Sequence, residues 1–323
     1  MRYFHPTNRV VFHVMLFWMM AWGALCPAHC DGTEAEGKSY RVVAFSSKNI
    51  RPYVEAMDGL RERLAEAIDA RVDVVMLDQY ADKARDDLAE QFSSEESIDL
   101  AAAIGPEAAA FVWETFPDAS VAKVYSVILN PEKVIPASRS AIGVSLNIPA
   151  ADQLRAIHQG LGPSVRRIGL FFDPALNSDF FSAARAAAME LDVDLVPMAV
   201  ASRKDIPFLL EECWDSMDCI WLIPDQTVIS ESISQYIIKQ AVLKKVPVVG
   251  YNQFFYDSGA AMAFVFDYHT LGRQSADLIA DVLRQTASKS QNPAFNVWLN
   301  AVVLKKMGIE ISQPLTLPMM VGP

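Results

Sequence analysis

The chain has 323 residues, 52% of them hydrophobic and 21% charged, with a formal net charge of -11 at pH 7. That length suits two lobes or one large domain, and the apolar content supports a real core, which excludes a disordered tail. The acidic balance and the lack of a Lys/Arg block exclude a nucleic-acid surface, whose phosphate contacts need clustered cations.

The first thirty residues stand apart. Arg2 and Arg9 precede the run "VVFHVMLFWMMAWGALC", which is apolar except for His13, and the polar stretch "DGTEAEGKS" follows. This is the pattern of a secretory signal, with cleavage expected near Ala28 or Cys30 and an exported, periplasmic mature chain; an uncleaved anchor is the alternative. A lipid anchor at Cys26 is disfavoured, because bulky Leu25 occupies a position where lipoprotein signals carry a small residue.

From Tyr40 the pattern alternates apolar, β-rich runs with helical stretches: "YRVVAF", a helix from about Pro52 to Ile68, "RVDVVML", "YADKARDDLAEQF", "IDLAAAI", "PEAAAFVWETF", "VAKVYSVIL". Continuous apolar strands, each followed by an amphipathic helix, predict a parallel sheet covered on both faces. "NPEKVIPASRSAIGVSLNIP" reads as a connection with one short strand. A second α/β lobe then runs through "RRIGLFF", "VDLVPMAV", "CIWLIP" and "VPVVGY", with helices between. The expected organisation is a signal at 1–30, a first lobe at 40–142 completed by a return segment at about 270–311, and a second lobe at 148–265. The fold class is α/β: two Rossmann-like lobes with parallel sheets flanked by helices, joined by a multi-strand hinge. Trp113, Trp214 and Trp221 are expected in the core.

Cys213 and Cys219 remain after cleavage and flank "WDSMD". In an oxidising compartment they form either a small-loop disulfide or two buried thiols, and the sequence leaves both open. No His or Cys cluster suggests a metal site.

Ligands of open parallel sheets settle at the carboxyl ends of the strands. "CIWLIPDQTVIS" ends a strand in Asp225, Gln226 and Thr227, and "DLAAAIGPEAA" ends one in Gly105 and Glu107. The other tips hold Ser46 and Ser47, Asn130, Asp173 with Asn177 and Ser178, and Tyr251, Asn252 and Phe254. Each polar residue has a plain alternative role as a helix cap. Together they predict two facing rims around a cleft that encloses a small polar ligand, with Tyr53 and Phe254 excluding water.

The stretches "AIGVSLNIPAADQL", "RRIGLFFDPALNS", "IWLIPDQTVIS", "VPVVGYNQFFYDSGA", "FDYHTLGRQSADLIADVL" and "LNAVVLKKMGIEI" resemble the ABC-transporter substrate-binding proteins related to the tryptophan- and tyrosine-binding periplasmic proteins. These have the type I periplasmic binding protein fold. The resemblance spans Tyr40 to Ile311. It implies ligand contacts at Ser46, Tyr53, Gly105, Glu107, Asn130, Asn177, Ser178, Asp225, Thr227, Asn252 and Asp267. Asp267 alone reads as an N-cap, and the resemblance adds a role toward a ligand amine. Glu107 stands where aromatic-amino-acid binders carry a Ser/Thr-rich loop, and its carboxylate would repel an α-carboxylate and favour an amine or a hydroxylated ligand.

No G-x-S-x-G elbow, G-x-G-x-x-G, phosphate loop or H-E-x-x-H occurs, and His158 and His269 are the only histidines beyond the signal segment. An enzyme is therefore not expected, nor is any cofactor. The expected function is an exported receptor that delivers a small, amino-acid-like or related solute to an ABC permease and its ATPase. The alternatives are a receptor presenting its ligand to a membrane sensor protein and a secreted hydrolase using Glu107 and Asp225. A monomer is expected. Asp225→Ala and Asn177→Ala are expected to weaken binding by ~1 to 3 kcal/mol while leaving folding nearly intact.

Overall fold

A computed structural model of the chain describes residues 39–93, 98–118, 120–137, 139–286, 289–311 and 319–322. The expected signal segment, with Cys26, Ala28 and Cys30, lies outside the described residues. The first lobe is built from β1 (Tyr40–Ser46), α1 (Arg51–Ala67), β2 (Ala70–Met76), α2 (Asp82–Ser93), β3 (Leu100–Ile104), α3 (Pro106–Thr115), β4 (Ala122–Ile128) and β5 (Ile142–Ser145). Its five strands are all parallel, in the order β2-β1-β3-β4-β5.

Alternate residues of β1 face opposite layers. Val42 and Ala44 join Leu60 of α1, while Val43 and Phe45 join Val112 and Trp113 of α3. A strand buried on both faces must be apolar at every position, which is why "YRVVAF" shows no alternation.

The second lobe follows with α4 (Ala150–Leu161), β6 (Arg167–Phe172), α5 (Pro174–Glu190), β7 (Asp194–Ala199), α6 (Ile206–Cys213), β8 (Cys219–Leu222), α7 (Glu231–Lys244), β9 (Val248–Gly250), α8 (Gln253–Asp257) and β10 (Met262–Val265). The chain then runs through α9 (Tyr268–Leu283), β11 (Asn296–Asn300), α10 (Ala301–Met307) and β12 (Met319–Gly322). The second sheet has the order β12-β11-β10-β9-β8-β6-β7, parallel except for the antiparallel pair β10 and β11. Helices again cover both faces, α4 and α5 on one and α6 and α7 on the other.

The return segment divides between the lobes. Helix α9 goes back to the first lobe, where Leu271 and Ile279 pack with Leu60 and Leu64 of α1. Strand β11 belongs to the second sheet and α10 packs on its core, so the expected assignment of all of 270–311 to the first lobe is corrected for 296–307. The physical reason is that Val297 and Leu299 alternate inward and pair with β10, burying both in the second core.

The chain crosses between the lobes at 146–149, at 266–267, and between α9 and β11, where Gln291 bridges to Val144 and its N–H donates to the Gly143 carbonyl.

Of the two alternatives left open for Cys213 and Cys219, the structure has free thiols and no bridge. Cys219 sits in β8 and points into the layer of α4 and α5, while Cys213 packs in the opposite layer, against α6 and α7. The sheet itself separates them. Trp113 and Trp221 are fully buried and Trp214 nearly so, as expected. Among the described residues no helix is long and apolar enough to cross a membrane, and no group of three or more His, Cys, Asp or Glu is placed to hold a metal ion.

Candidate functional site

A cavity of about 730 Å³ opens at the carboxyl ends of the second lobe's strands and along the crossings. Its walls come from the start of α5 (Leu176, Asn177, Asp179, Phe180), the tips of β8 (Ile223, Pro224) and β9 (Tyr251, Asn252), and the crossings (Asn147, Ile148, Phe266, Tyr268, Asn292). The first lobe contributes Leu129, Asn130, Glu132 and Lys133 beyond β4.

Asn177 is placed by a buried polar knot. Asp225, 1% exposed, accepts at Oδ2 from the Asp173 N–H and from Asn177 Nδ2, both at 2.7 Å, and at Oδ1 from the N–H groups of Thr227 and Val228. The Thr227 hydroxyl donates to Asp173 at 2.6 Å, and the Ala175 N–H donates to the same carboxylate, which caps α5. These donors hold the Asp173 carboxyl below its ordinary range. The tie to Asp225 pulls Asn177 out of helical geometry, to φ -134° and ψ 26°, and kinks α5 at the cavity wall. Asn177 Nδ2 is committed to a carboxylate, which can only accept, so the amide orientation is fixed and its carbonyl oxygen is left for the cavity.

Asn252 is the opposite case. It stands at the N-cap position of α8 but makes no side-chain cap bond, and its Oδ1 is buried without a partner. A buried amide oxygen with no donor costs about 1–3 kcal/mol, and this one lies in the wall of a hollow. On the crossing, Asn147 Oδ1 accepts from the Asn130 N–H at 3.0 Å, which fixes its orientation and leaves its NH₂ as a donor. Asn130 itself is in the left-handed region at φ 52°, a conformation asparagine tolerates better than most residues. Behind the wall, Trp221 Nε1 donates to Gln153 Oε1 at 3.1 Å, and Gln153 Nε2 donates to the Ile148 carbonyl at 2.8 Å. The floor of the second lobe is thereby tied to the hinge.

Four rings, Phe180, Tyr251, Phe266 and Tyr268, supply the apolar lining. Phe180 stands edge-on to buried Trp221 at 5.5 Å. Burial pushes the Tyr251 hydroxyl up to about 12, and burial followed by the Glu55 charge raises Tyr268, so both stay protonated donors at neutral pH.

Of the residues read from the sequence, the cavity gathers Asn130, Asn177, Tyr251 and Asn252. Asp173, Asp225 and Thr227 stand behind Asn177 as its support. Ser178 and Gln226 are exposed, and the Gln226 carbonyl accepts from Arg203. Phe254 packs edge-on to Phe255 in the core. Asp267 is exposed and caps α9 by accepting from the Thr270 N–H at 3.0 Å. Its neighbours Phe266 and Tyr268 are the ones that reach the cavity.

The first-lobe tips form a second cluster outside these walls. Ser47 Oγ accepts from the Ala108 N–H at the start of α3, and Ser46 Oγ donates to the Lys48 carbonyl. Lys48 Nζ lies 2.7 Å from Glu107. Burial raises Glu107, but Lys48 and hydrogen bonds, including one from Ser47, outweigh it and leave the carboxyl below its ordinary range. Gly105 has φ 89°, and a Cβ there would lie 2.6 Å from Ser47 Oγ and 2.7 Å from the Tyr53 ring. Burial raises the Tyr53 hydroxyl, with further contributions from Glu107 and Tyr268.

The sequence reading missed Asn147, Gln153, Phe180, Phe266 and Asn292. The available signal was the crossing itself: residues flanking Pro149 and Asp267 must line whatever lies between two lobes.

A sequence profile for the family described as ABC transporter substrate binding protein matches residues 52–318. No curated protein sequence matches the chain at a significant level. Among solved structures, the chain is similar to a ligand-free, open substrate-binding protein with adhesive properties from Clostridium difficile, with 15% identity and a TM-score of 0.70 over 87% of this chain and 99% of that one. It is similar to an ABC domain in complex with L-Trp from Streptococcus pneumoniae, with 18% identity and a TM-score of 0.55 over 85% and 97%. A conserved domain protein from Vibrio cholerae matches at 20% identity and a TM-score of 0.54 over 85% and 97%.

Proposed function

The chain belongs to the ABC transporter substrate-binding protein family, and from that premise we propose that it is an exported receptor that captures a small organic solute in the cavity at the hinge and delivers it to an ABC importer. Members of this family bind a small molecule, work with an ABC transporter, are typically not enzymes and are usually exported. The fold is that of the type I periplasmic binding proteins, as the resemblance in the sequence implied. Export through the 1–30 segment and partnership with a dedicated permease are parts of this proposal.

The observation that carries the reading is the unpartnered Oδ1 of Asn252, which lines the same cavity as the clamped amide of Asn177 and the rings of Phe180, Tyr251, Phe266 and Tyr268. Convergent polar atoms without protein partners in an otherwise apolar hollow suit a ligand that supplies the missing hydrogen bonds. The relative that holds L-Trp makes aromatic amino acids natural members of a first screen.

A thermal-shift screen over amino acids, amines, nucleosides and small acids tests the proposal. The expected result is a rise in Tm that follows RT ln(1 + [L]/Kd) with at least one compound and no product formed. A compound that is consumed, with none that raises Tm, overturns it.

A further inference from the structure

We propose that the solute is uncharged, carries a flat ring, and presents an amide-like edge, N–H donors beside a carbonyl acceptor, to the asparagines of the cavity: the chemistry of a nucleobase, a lactam or an aromatic carboxamide. This rests on the reading of the cavity as a solute site and adds the class of solute.

The charged residues of the cavity lining stand exposed to water. Glu132, Lys133 and Asp179 are all exposed, and Lys133 is the only cation among the described lining residues. Among the buried and half-buried lining residues the polar groups are neutral amides and hydroxyls. A ligand carboxylate would be desolvated there without a cation, and an ammonium would be desolvated without a free carboxylate. Apart from Asp179 and Glu132, which are exposed to water, the carboxylates beside the cavity are already engaged. Asp225 accepts four hydrogen bonds, Asp173 accepts from Thr227 and Ala175, and Asp267 caps α9. An ammonium approaching Asp225 would first have to displace the Asn177 amide.

The pattern of the amides is also directional. Asn177 offers a carbonyl oxygen, because its NH₂ is held by Asp225, and Asn252 Oδ1 is buried and unpaired. Both ask for donors. Asn147 offers its NH₂, because its oxygen is taken by the Asn130 N–H, and so asks for an acceptor. Donors beside an acceptor on one neutral edge are what a carboxamide or nucleobase displays. Such an edge occurs on a planar group, and rings such as Phe180 and Tyr268 offer faces for it to stack on.

Titration calorimetry with four compounds that share one ring and differ in charge tests this: indole-3-acetamide, indole-3-acetate, tryptamine and L-tryptophan. Nicotinamide, uracil and adenosine extend the uncharged arm. At neutral pH an uncharged compound is expected to bind at least ~10-fold more tightly than any ionised one, a difference of about 1.4 kcal/mol. Asn252→Ala is expected to lower that compound's affinity ~10-fold without lowering the Tm of the free protein. Tightest binding by L-tryptophan, the acetate or tryptamine overturns this inference and leaves the receptor reading standing. Undiminished affinity in Asn252→Ala overturns it as well. No binding by any compound here or in the broader screen counts against both readings.

Discussion

Asp225 receives four hydrogen bonds, three of them from backbone N–H groups, whereas Asn252 Oδ1 receives none. The two residues look alike in the sequence, each a short polar side chain just past a strand, but Asp225 is spent on holding its loop whereas Asn252 keeps an open acceptor. Asp225→Ala leaves four donors without an acceptor in a buried loop, so it should cost at least about 3 kcal/mol of stability, seen as a lower urea midpoint. The sequence-based expectation that this variant folds nearly normally is corrected on that ground. Asn252→Ala removes an unpaired carbonyl and should leave the urea midpoint unchanged or slightly raised, while solute affinity falls by about 1–3 kcal/mol. A second residue-scale outcome concerns pH. Burial raises Asp218, but the Arg167 guanidinium, with the N–H groups of Arg167 and Arg166, outweighs it and holds the carboxyl below its ordinary value. Thr227 and Ala175 do the same for Asp173. Carboxyls depressed in the folded state contribute stability that is fully present above the unfolded pKa, near pH 4, and is lost as pH falls through the folded pKa. The urea midpoint should therefore hold from pH 7 to about 5 and fall below about 4, with a shallower fall in Asp218→Asn.

The elements were legible where the pattern is periodic and blurred where polar residues pair among themselves. A buried parallel strand must be apolar throughout and its helix amphipathic, so β1, β3, β6 and β8 and their following helices could be placed from "YRVVAF", "LAAAI", "RIGLFF" and "CIWL". Asn177 or Ser178 read as the cap of a helix over "FFSAARAAAMEL". The structure starts α5 at Pro174 under an Asp173 cap and makes Asn177 the kink, because Asp225 from a distant loop reaches its amide. That partner is 48 residues away, and no local rule signals it. The return of α9 rests on an equally non-local contact, in which a Cβ at Gly272 would lie 1.9 Å from the Ala56 carbonyl of α1. Gly272→Ala should force the helices apart and lower stability by at least about 2 kcal/mol, which chemical denaturation of the variant would record.

At the scale of the molecule, two α/β lobes were legible because alternating strands and helices leave few other architectures, and the type I fold was legible only through the family resemblance. The extent of the site was not. The sequence implied two facing rims meeting in one hollow, whereas the cavity draws chiefly on the second lobe and the crossings, with Leu129 and Asn130 entering from the first. Ser47, Gly105 and Glu107 form their own cluster beside Tyr53, because Ser47 and Gly105 are used to start α3 and Glu107 is paired with Lys48. A residue can satisfy both the capping rule and the binding rule at a strand tip, and only the partners it finds decide between them.

Calorimetric titration of the wild-type protein and of Asn177→Ala with Asn252→Ala combined, using the best solute from the screen, tests the central claim most directly. One solute per chain is expected for the wild type and at least ~100-fold weaker binding in the double variant, with both proteins folded to the same Tm within a few degrees. Equal affinity in the two proteins would place the solute outside this cavity and overturn the assignment.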